Sequence, residues 1–146
     1  VAYLAQSLQL TPNFPLSVRD LVATGTYSNL GWFKPKLKTS ERLEEALTTL
    51  NLQSIAERDV QSLSGGQLQR CLLARAIVQQ ASVFLLDEPF VGLDQSSRDI
   101  IEGFLFRPQP TFTVIMATHD AADLNHCQQT IALRQGEIQK SASSYA

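Results

Sequence analysis

The chain is poor in the residues that announce special chemistry. It has two cysteines in 146 residues, Cys71 and Cys127, and they lack CxxC spacing. Reduced structural thiols are therefore expected. Charge of one sign is also scarce: 12 Lys and Arg stand against 14 Asp and Glu, a formal net charge of −2. That balance gives no electrostatic footprint for nucleic acid or for an anionic membrane. No apolar run approaches the roughly 20 residues that a spanning helix needs. No internal repeat is present. What remains is one domain with a real core.

The most informative stretch runs from Leu63 to Asp94, LSGGQLQRCLLARAIVQQASVFLLDEPFVGLD. Its first residues, Leu63-Ser64-Gly65-Gly66-Gln67, form a polar turn opening onto a helix. Unpaired N–H groups and the helix dipole suit such a mouth to an anion. Gly65 and Gly66 let the backbone approach a ligand, and the Ser64 hydroxyl caps the helix or binds a phosphate oxygen. Leu68, Leu72 and Ala76 line one side of this helix, with Cys71 and Ile77 beside them. Arg70 and Arg75 are expected to pair with acidic neighbours. The helix ends at Gln79-Gln80. Val83 to Leu86 then reads as a strand buried on both faces. Asp87 and Glu88 follow at its C-terminal end, on opposite sides of an extended backbone, where ligands gather in open α/β sheets.

Elsewhere the pattern is of short alternating elements. Val1 to Leu4 is a strand. Ser17, with Asp20 three residues on, caps a helix that runs to about Gly25, a glycine C-cap; Leu16 and Leu21 stand at hydrophobic-staple positions. Tyr27 to Lys38 is a loop in which Trp32 and Phe33 lie among lysines, a weak basic–aromatic signal that favours a surface loop over a nucleic-acid patch. Thr39 or Ser40 opens a helix with Leu43, Ala46, Leu47 and Leu50 on one face, closed by Asn51-Leu52. Ser96 and Ser97 begin another, with Ile100, Ile101, Phe104 and Leu105 inward and Pro108 and Pro110 beyond it. Phe112 to Ala117 is a strand rich in β-formers, with Thr118-His119-Asp120 straight after it. Asp120 to Asn125 start a short helix. Thr130 to Leu133 and Glu137-Ile138 flank a turn at Gln135-Gly136. His126 is left as a surface or packing residue.

LSGGQ, then four apolar residues before Asp87-Glu88, then Gly92-Leu93-Asp94, then Thr118-His119-Asp120 resemble, in order, the signature motif, Walker B strand, D-loop and switch histidine of the ATP-binding cassette (ABC) ATPases. The resemblance extends over essentially the whole chain. It implies an α/β fold, the C-terminal part of a P-loop ABC ATPase domain. Residues 1–6 and 81–146 would form the ATPase core, and 7–80 the helical and signature subdomain. It further implies ATP and Mg²⁺ as cofactors. Asp87 and Gln6 (the Q-loop glutamine) would serve the magnesium, and Glu88 would be general base. His119 would reach the γ-phosphate, and Asp94 would link two ATP sites across a dimer, a role compatible with an N-cap. Ser64, Gly65, Gly66 and Gln67 would close over ATP held by a second subunit.

FPLSVRDLV, the later GWFKP and the EPFVGLD spelling look most like importers of the manganese, zinc and iron type. The implied partners are a transmembrane permease, a second ATP-binding subunit (a homodimer) and, indirectly, a solute-binding protein, at the cytoplasmic face of the membrane and without nucleic acid. One part of the family pattern is not in the sequence: no G-x-x-x-x-G-K-[ST] occurs. With Val1 in first place, this leads to the expectation of a domain lacking about its first third, binding ATP poorly by itself. The alternatives are a non-catalytic donor of the signature half-site and, more distantly, a soluble ABC ATPase.

Overall fold

A computed structural model describes residues 1–5, 15–29, 36–108 and 110–139. Strands β1 (Ala2–Leu4), β2 (Val83–Asp87) and β3 (Thr113–Ala117) form a parallel sheet in the order β1-β2-β3. Parallel neighbours need long crossovers, and helices supply them. Helices α1 (Val18–Ala23), α2 (Lys36–Thr49) and α3 (Gly65–Val78) come between β1 and β2, and α4 (Gln95–Leu105) between β2 and β3. A 3-10 turn spans Ala121–His126, and the hairpin of β4 (Ala132–Arg134) and β5 (Glu137–Gln139) follows. Its two-residue turn puts Gln135 and Gly136 at φ 51° and 82°, the left-handed geometry that matches strand twist.

The sheet is covered on one face. Ala2 and Leu4 lie in register with Phe84 and Leu86, and all four are buried. Phe84 meets the Phe104 ring of α4 edge-on at 5.9 Å and the Phe112 ring at 4.8 Å, an arrangement that adds to plain burial. Of the two faces that β2 was expected to bury, the described residues cover one. Val83 and Leu85 are only half-buried, and on the same open face Tyr3 is 65% and Ile115 57% exposed. An apolar run without alternation does not by itself say which face a helix will cover.

The helices pack through a core continuous with the sheet, with Val18, Val22, Leu47, Leu50, Leu52 and Leu73 fully buried. Ser17 caps α1 as expected: its Oγ accepts from Asp20 N–H at 3.1 Å and its hydroxyl donates to the Asp20 carboxylate at 2.6 Å. The next N–H groups of that mouth are met across the chain, Val18 donating to Arg58 O and Arg19 to Ala56 O. Gly25 is not the left-handed C-cap. The α-turns end at Ala23 and tighten into a 3-10 stretch, Thr24–Asn29. Gly25 is there because a Cβ would collide with the Arg75 carbonyl of α3. Helix α2 begins at Lys36 rather than at Thr39 or Ser40; Lys36, Leu37 and Lys38 are good helix formers and override the capping signal. It closes at Asn51, φ 52°, as a left-handed cap.

Arg70 corrects another expectation. Buried at 8% exposure, it pairs with no carboxylate among the described residues; its Nη1 donates to the Leu50 and Asn51 carbonyls at 3.2 Å each. A guanidinium there meets carbonyls that α2 leaves unpaired at its C-terminal end. Arg75 is exposed, with no acidic partner among the described residues. Burial among apolar side chains pushes the Cys71 thiol up to about 12, and burial raises Cys127 as well, so both are held away from the thiolate form.

Candidate functional site

Two clusters gather the residues singled out in the sequence. The first is the mouth of α3. Ser64 is its N-cap and forms a full capping box with Gln67: Ser64 Oγ accepts from Gln67 N–H at 3.3 Å, and Ser64 N–H donates to Gln67 Oε1 at 3.1 Å. Ser64 and Gly65 are exposed, whereas Gly66 is buried. The two glycines have different duties. A Cβ on Gly65 would meet nothing within 4 Å. On Gly66 it would sit 2.5 Å from Ser97 Oγ, 2.7 Å from Ser97 Cβ and 3.1 Å from Asp94 Oδ2. Gly66 is thus buried against the start of α4 and does not lie open to a ligand. This close approach sets the LSGGQ turn directly on the Gly92-Leu93-Asp94 turn of the same chain. Asp94 is the N-cap of α4, its Oδ1 accepting from Ser97 N–H and its Oδ2 from the Ser97 hydroxyl, both at 2.9 Å. Those two bonds hold its carboxyl below the ordinary carboxylate range.

The second cluster lies at the C-terminal ends of β2 and β3. Asp87, half-buried, is the last residue of β2. Glu88 does not continue the extended backbone, as the sequence suggests; it turns into the left-handed region at φ 49° while its N–H donates to Ala117 O at 2.9 Å. A non-glycine residue in that region costs of order 1 kcal/mol or more and persists where the surroundings fix it. The turn brings Glu88 Oε1 to 2.6 Å from His119 Nδ1. A carboxylate only accepts, so Nδ1 carries the hydrogen. The bond and the negative charge raise the His119 pKa. Glu88 Oε2 is buried and has no donor among the described residues. Beside the pair opens a cleft of about 290 Å³ lined by Phe90, Val91, Arg98, His119 and Asp120, among others. His126 is a packing residue, stacked on Phe106 at 4.5 Å and 7°.

Gln6, Trp32 and Phe33 lie outside the described residues, so the Q-loop assignment and the aromatic loop have no geometry here. Sequence reasoning missed Arg98, Asp123 and Ser97. Arg98 and Glu102 stand at the i,i+4 spacing of a helical ion pair, a visible but common signal. Buried Asp123 and the seat of Gly66 on Ser97 are non-local and leave no trace in spacing.

A parallel sheet with helical crossovers, a capped glycine turn and a carboxylate–histidine pair at the strand ends define an open α/β architecture with its polar groups where such folds bind ligands. The family model described as "ABC transporter" matches residues 1–91, and the chain belongs to that family. The manganese transport system ATP-binding protein MntB of Halalkalibacterium halodurans is 38% identical over 120 residues, covering 82% of this chain and 48% of that protein. The zinc transport system ATP-binding protein TroB of Treponema pallidum is 35% identical over 133 residues, covering 90% and 48%. A solved structure described as a metal-chelate type ABC transporter in an inward-facing conformation superposes with TM-score 0.81 at 32% identity, over 94% of this chain and 56% of that one. The ADP- and phosphate-bound dimer of the ATP-binding cassette MJ0796 shares the fold, with TM-score 0.81 at 24% identity, over 99% and 63%. The chain spans about half the length of the curated relatives it matches. Among the described residues no helix is long and apolar enough to cross a membrane.

Proposed function

We propose that this chain supplies the signature turn, the Walker B carboxylates and the switch histidine of an ATP-hydrolysing subunit that drives import of a divalent metal ion. The observation that carries the reading is the 2.6 Å bond between Glu88 and His119, contributed by the ends of adjacent parallel strands. One carboxylate oxygen is engaged by imidazole; the other is buried without a donor. An acceptor in that state suits a general base that takes a proton from water. Because the carboxylate raises its pKa, His119 tends toward the doubly protonated form, leaving Nε2–H to donate to a phosphate oxygen.

The donor set fits magnesium held together with a nucleotide. Among the described residues no three His, Cys, Asp or Glu gather into a cation cage, and magnesium bound beside phosphates needs only one or two carboxylates. Asp87 would hold it, with Gln6 as a second contact. Held there, the ion would supply positive charge against that of the phosphates. The phosphate cradle comes, in this reading, from outside the 146 residues, since no G-x-x-x-x-G-K-[ST] lies within them.

Ser64, Gly65 and Gln67 would close on ATP held by a second copy, with Gly66 seating that turn on α4 and Asp94 at the dimer seam. Residues 1–6 and 81–146 would act as the ATPase lobe and 7–80 as the lobe facing a transmembrane permease at the cytoplasmic side, with a solute-binding protein as indirect partner. Divalent metal as cargo follows from the manganese and zinc systems to which the relatives belong. The test is ATP hydrolysis and manganese uptake by the full gene product assembled with its permease in vesicles. Glu88→Gln is expected to cut hydrolysis about 100-fold or more. Undiminished hydrolysis by that variant would overturn the assignment.

A further inference from the structure

The His119 side chain is 77% exposed, yet the residues on both sides of it are tied down. The Thr118 hydroxyl donates to Asp123 Oδ2 at 2.6 Å, and Asp120 N–H donates to Thr118 Oγ1 at 3.1 Å. The Asp123 side chain is only 3% exposed, and its other oxygen accepts from Arg98 Nη2 at 2.5 Å. Arg98 Nη1 lies 3.9 Å from Asp120 Oδ2, its Nε donates to Glu102 at 2.7 Å, and its guanidinium sits 4.8 Å from the Phe90 ring centroid. One cation therefore reaches both flanks of His119 and the segment just past Glu88. Arg98 also belongs to the helix that Asp94 caps, its N–H donating to Asp94 O at 3.0 Å.

We propose that Arg98 is the positioning residue of His119. It holds Thr118–Asp123 so that the imidazole stays on Glu88, and it makes that hold depend on the helix that begins at Asp94. The inference rests on the ATPase reading above. Exposed ion pairs contribute little, but a nearly buried carboxylate stripped of its cation does not stay in place. Without Arg98, Asp123 would turn toward water and release Thr118, and His119 would swing with it. Lysine offers one point charge where arginine offers a planar fork, so it should restore part of the hold.

The test uses the full gene product assembled with its permease, in steady-state ATP hydrolysis. Arg98→Gln is expected to lower kcat about tenfold or more, as slackened placement of a reacting group does. The KM for ATP should stay within about twofold, and Arg98→Lys should recover part of the loss. Asp123→Asn should lower the same parameter, and with Arg98→Lys it carries the test if Arg98→Gln does not fold. In a His119→Ala background, where residual turnover is read at high enzyme concentration, Arg98→Gln should change kcat less than about twofold, because the two act as one unit. Full kcat in Arg98→Gln, or losses that multiply with His119→Ala, would overturn the inference while leaving the ATPase reading intact. Full activity in His119→Ala alone would overturn that reading, and the inference with it.

Discussion

Replacing each glycine of the LSGGQ turn in turn should give opposite results, although the two are adjacent. Gly66 faces the first turn of α4. An alanine Cβ there would sit 2.5 Å from Ser97 Oγ and 2.7 Å from Ser97 Cβ. Ser97 cannot give way cheaply: it is 2% exposed, and Asp94 holds both its N–H and its hydroxyl. Overpacking of this kind costs about 1–3 kcal/mol. Alanine's better helix propensity offsets up to about 1 kcal/mol. The net expectation for Gly66→Ala is a loss of about 1–2 kcal/mol. Gly65 has open space around its would-be Cβ and no left-handed φ. Gly65→Ala should therefore be neutral or stabilising by about 0.4–1 kcal/mol, mainly through the unfolded chain. The gap, about 2 kcal/mol, corresponds to several degrees in Tm. Thermal unfolding of the full gene product and the two variants, run side by side, measures it. A second arm checks the cause. Ser97→Gly removes both offending atoms, so Gly66→Ala should cost less in that background than in the parent. If Gly66→Ala melts at or above Gly65→Ala, the seating of the signature turn on the Asp94 turn is wrong.

Gly25→Ala should destabilise by more than about 2 kcal/mol, because the Cβ would meet a helix carbonyl that has nowhere to move; urea unfolding midpoints will show it. Arg70→Met, which keeps the aliphatic bulk, leaves the Leu50 and Asn51 carbonyls without their charged donor and should cost about 2–3 kcal/mol in the same assay. The raised pKa of His119 has a definite sign. Its pairing with Glu88 contributes stability that is fully present below the ordinary histidine value of about 6.5 and fades as pH rises through the higher folded value. Glu88→Gln should bring the His119 titration midpoint, followed by the imidazole C2–H resonance with His126 as internal reference, back down toward 6.5. An unchanged midpoint would mean that the bond does not form in solution.

Much of the architecture was legible because local rules carried it. Ser17, Ser64, Asp94 and Asn51 mark helix ends by short-range hydrogen bonds and backbone preference, and each stands where it was expected. The ordered motifs from LSGGQ to Thr-His-Asp gave the fold class and the family before any contact was known. Gln135-Gly136 announced its hairpin for the same local reason.

What escaped the sequence is of another physical kind. Gly25 looked like a cap and is a close approach to Arg75; Arg70 looked like a partner for an acid and meets two carbonyls about twenty residues away. Glu88 looked extended and is left-handed, and only that turn brings its carboxylate to His119. The sequence by itself determined which elements form, where the helices are capped and which chemistry the strand ends carry, since these depend on residues within a turn or two of one another. Tertiary structure alone decided which face of the sheet is covered, that Gly66 sits on Ser97, and that Arg98 and Asp123 grip the neighbours of His119. Those contacts join positions far apart in the chain, and no local preference encodes the distance at which two packed elements come to rest.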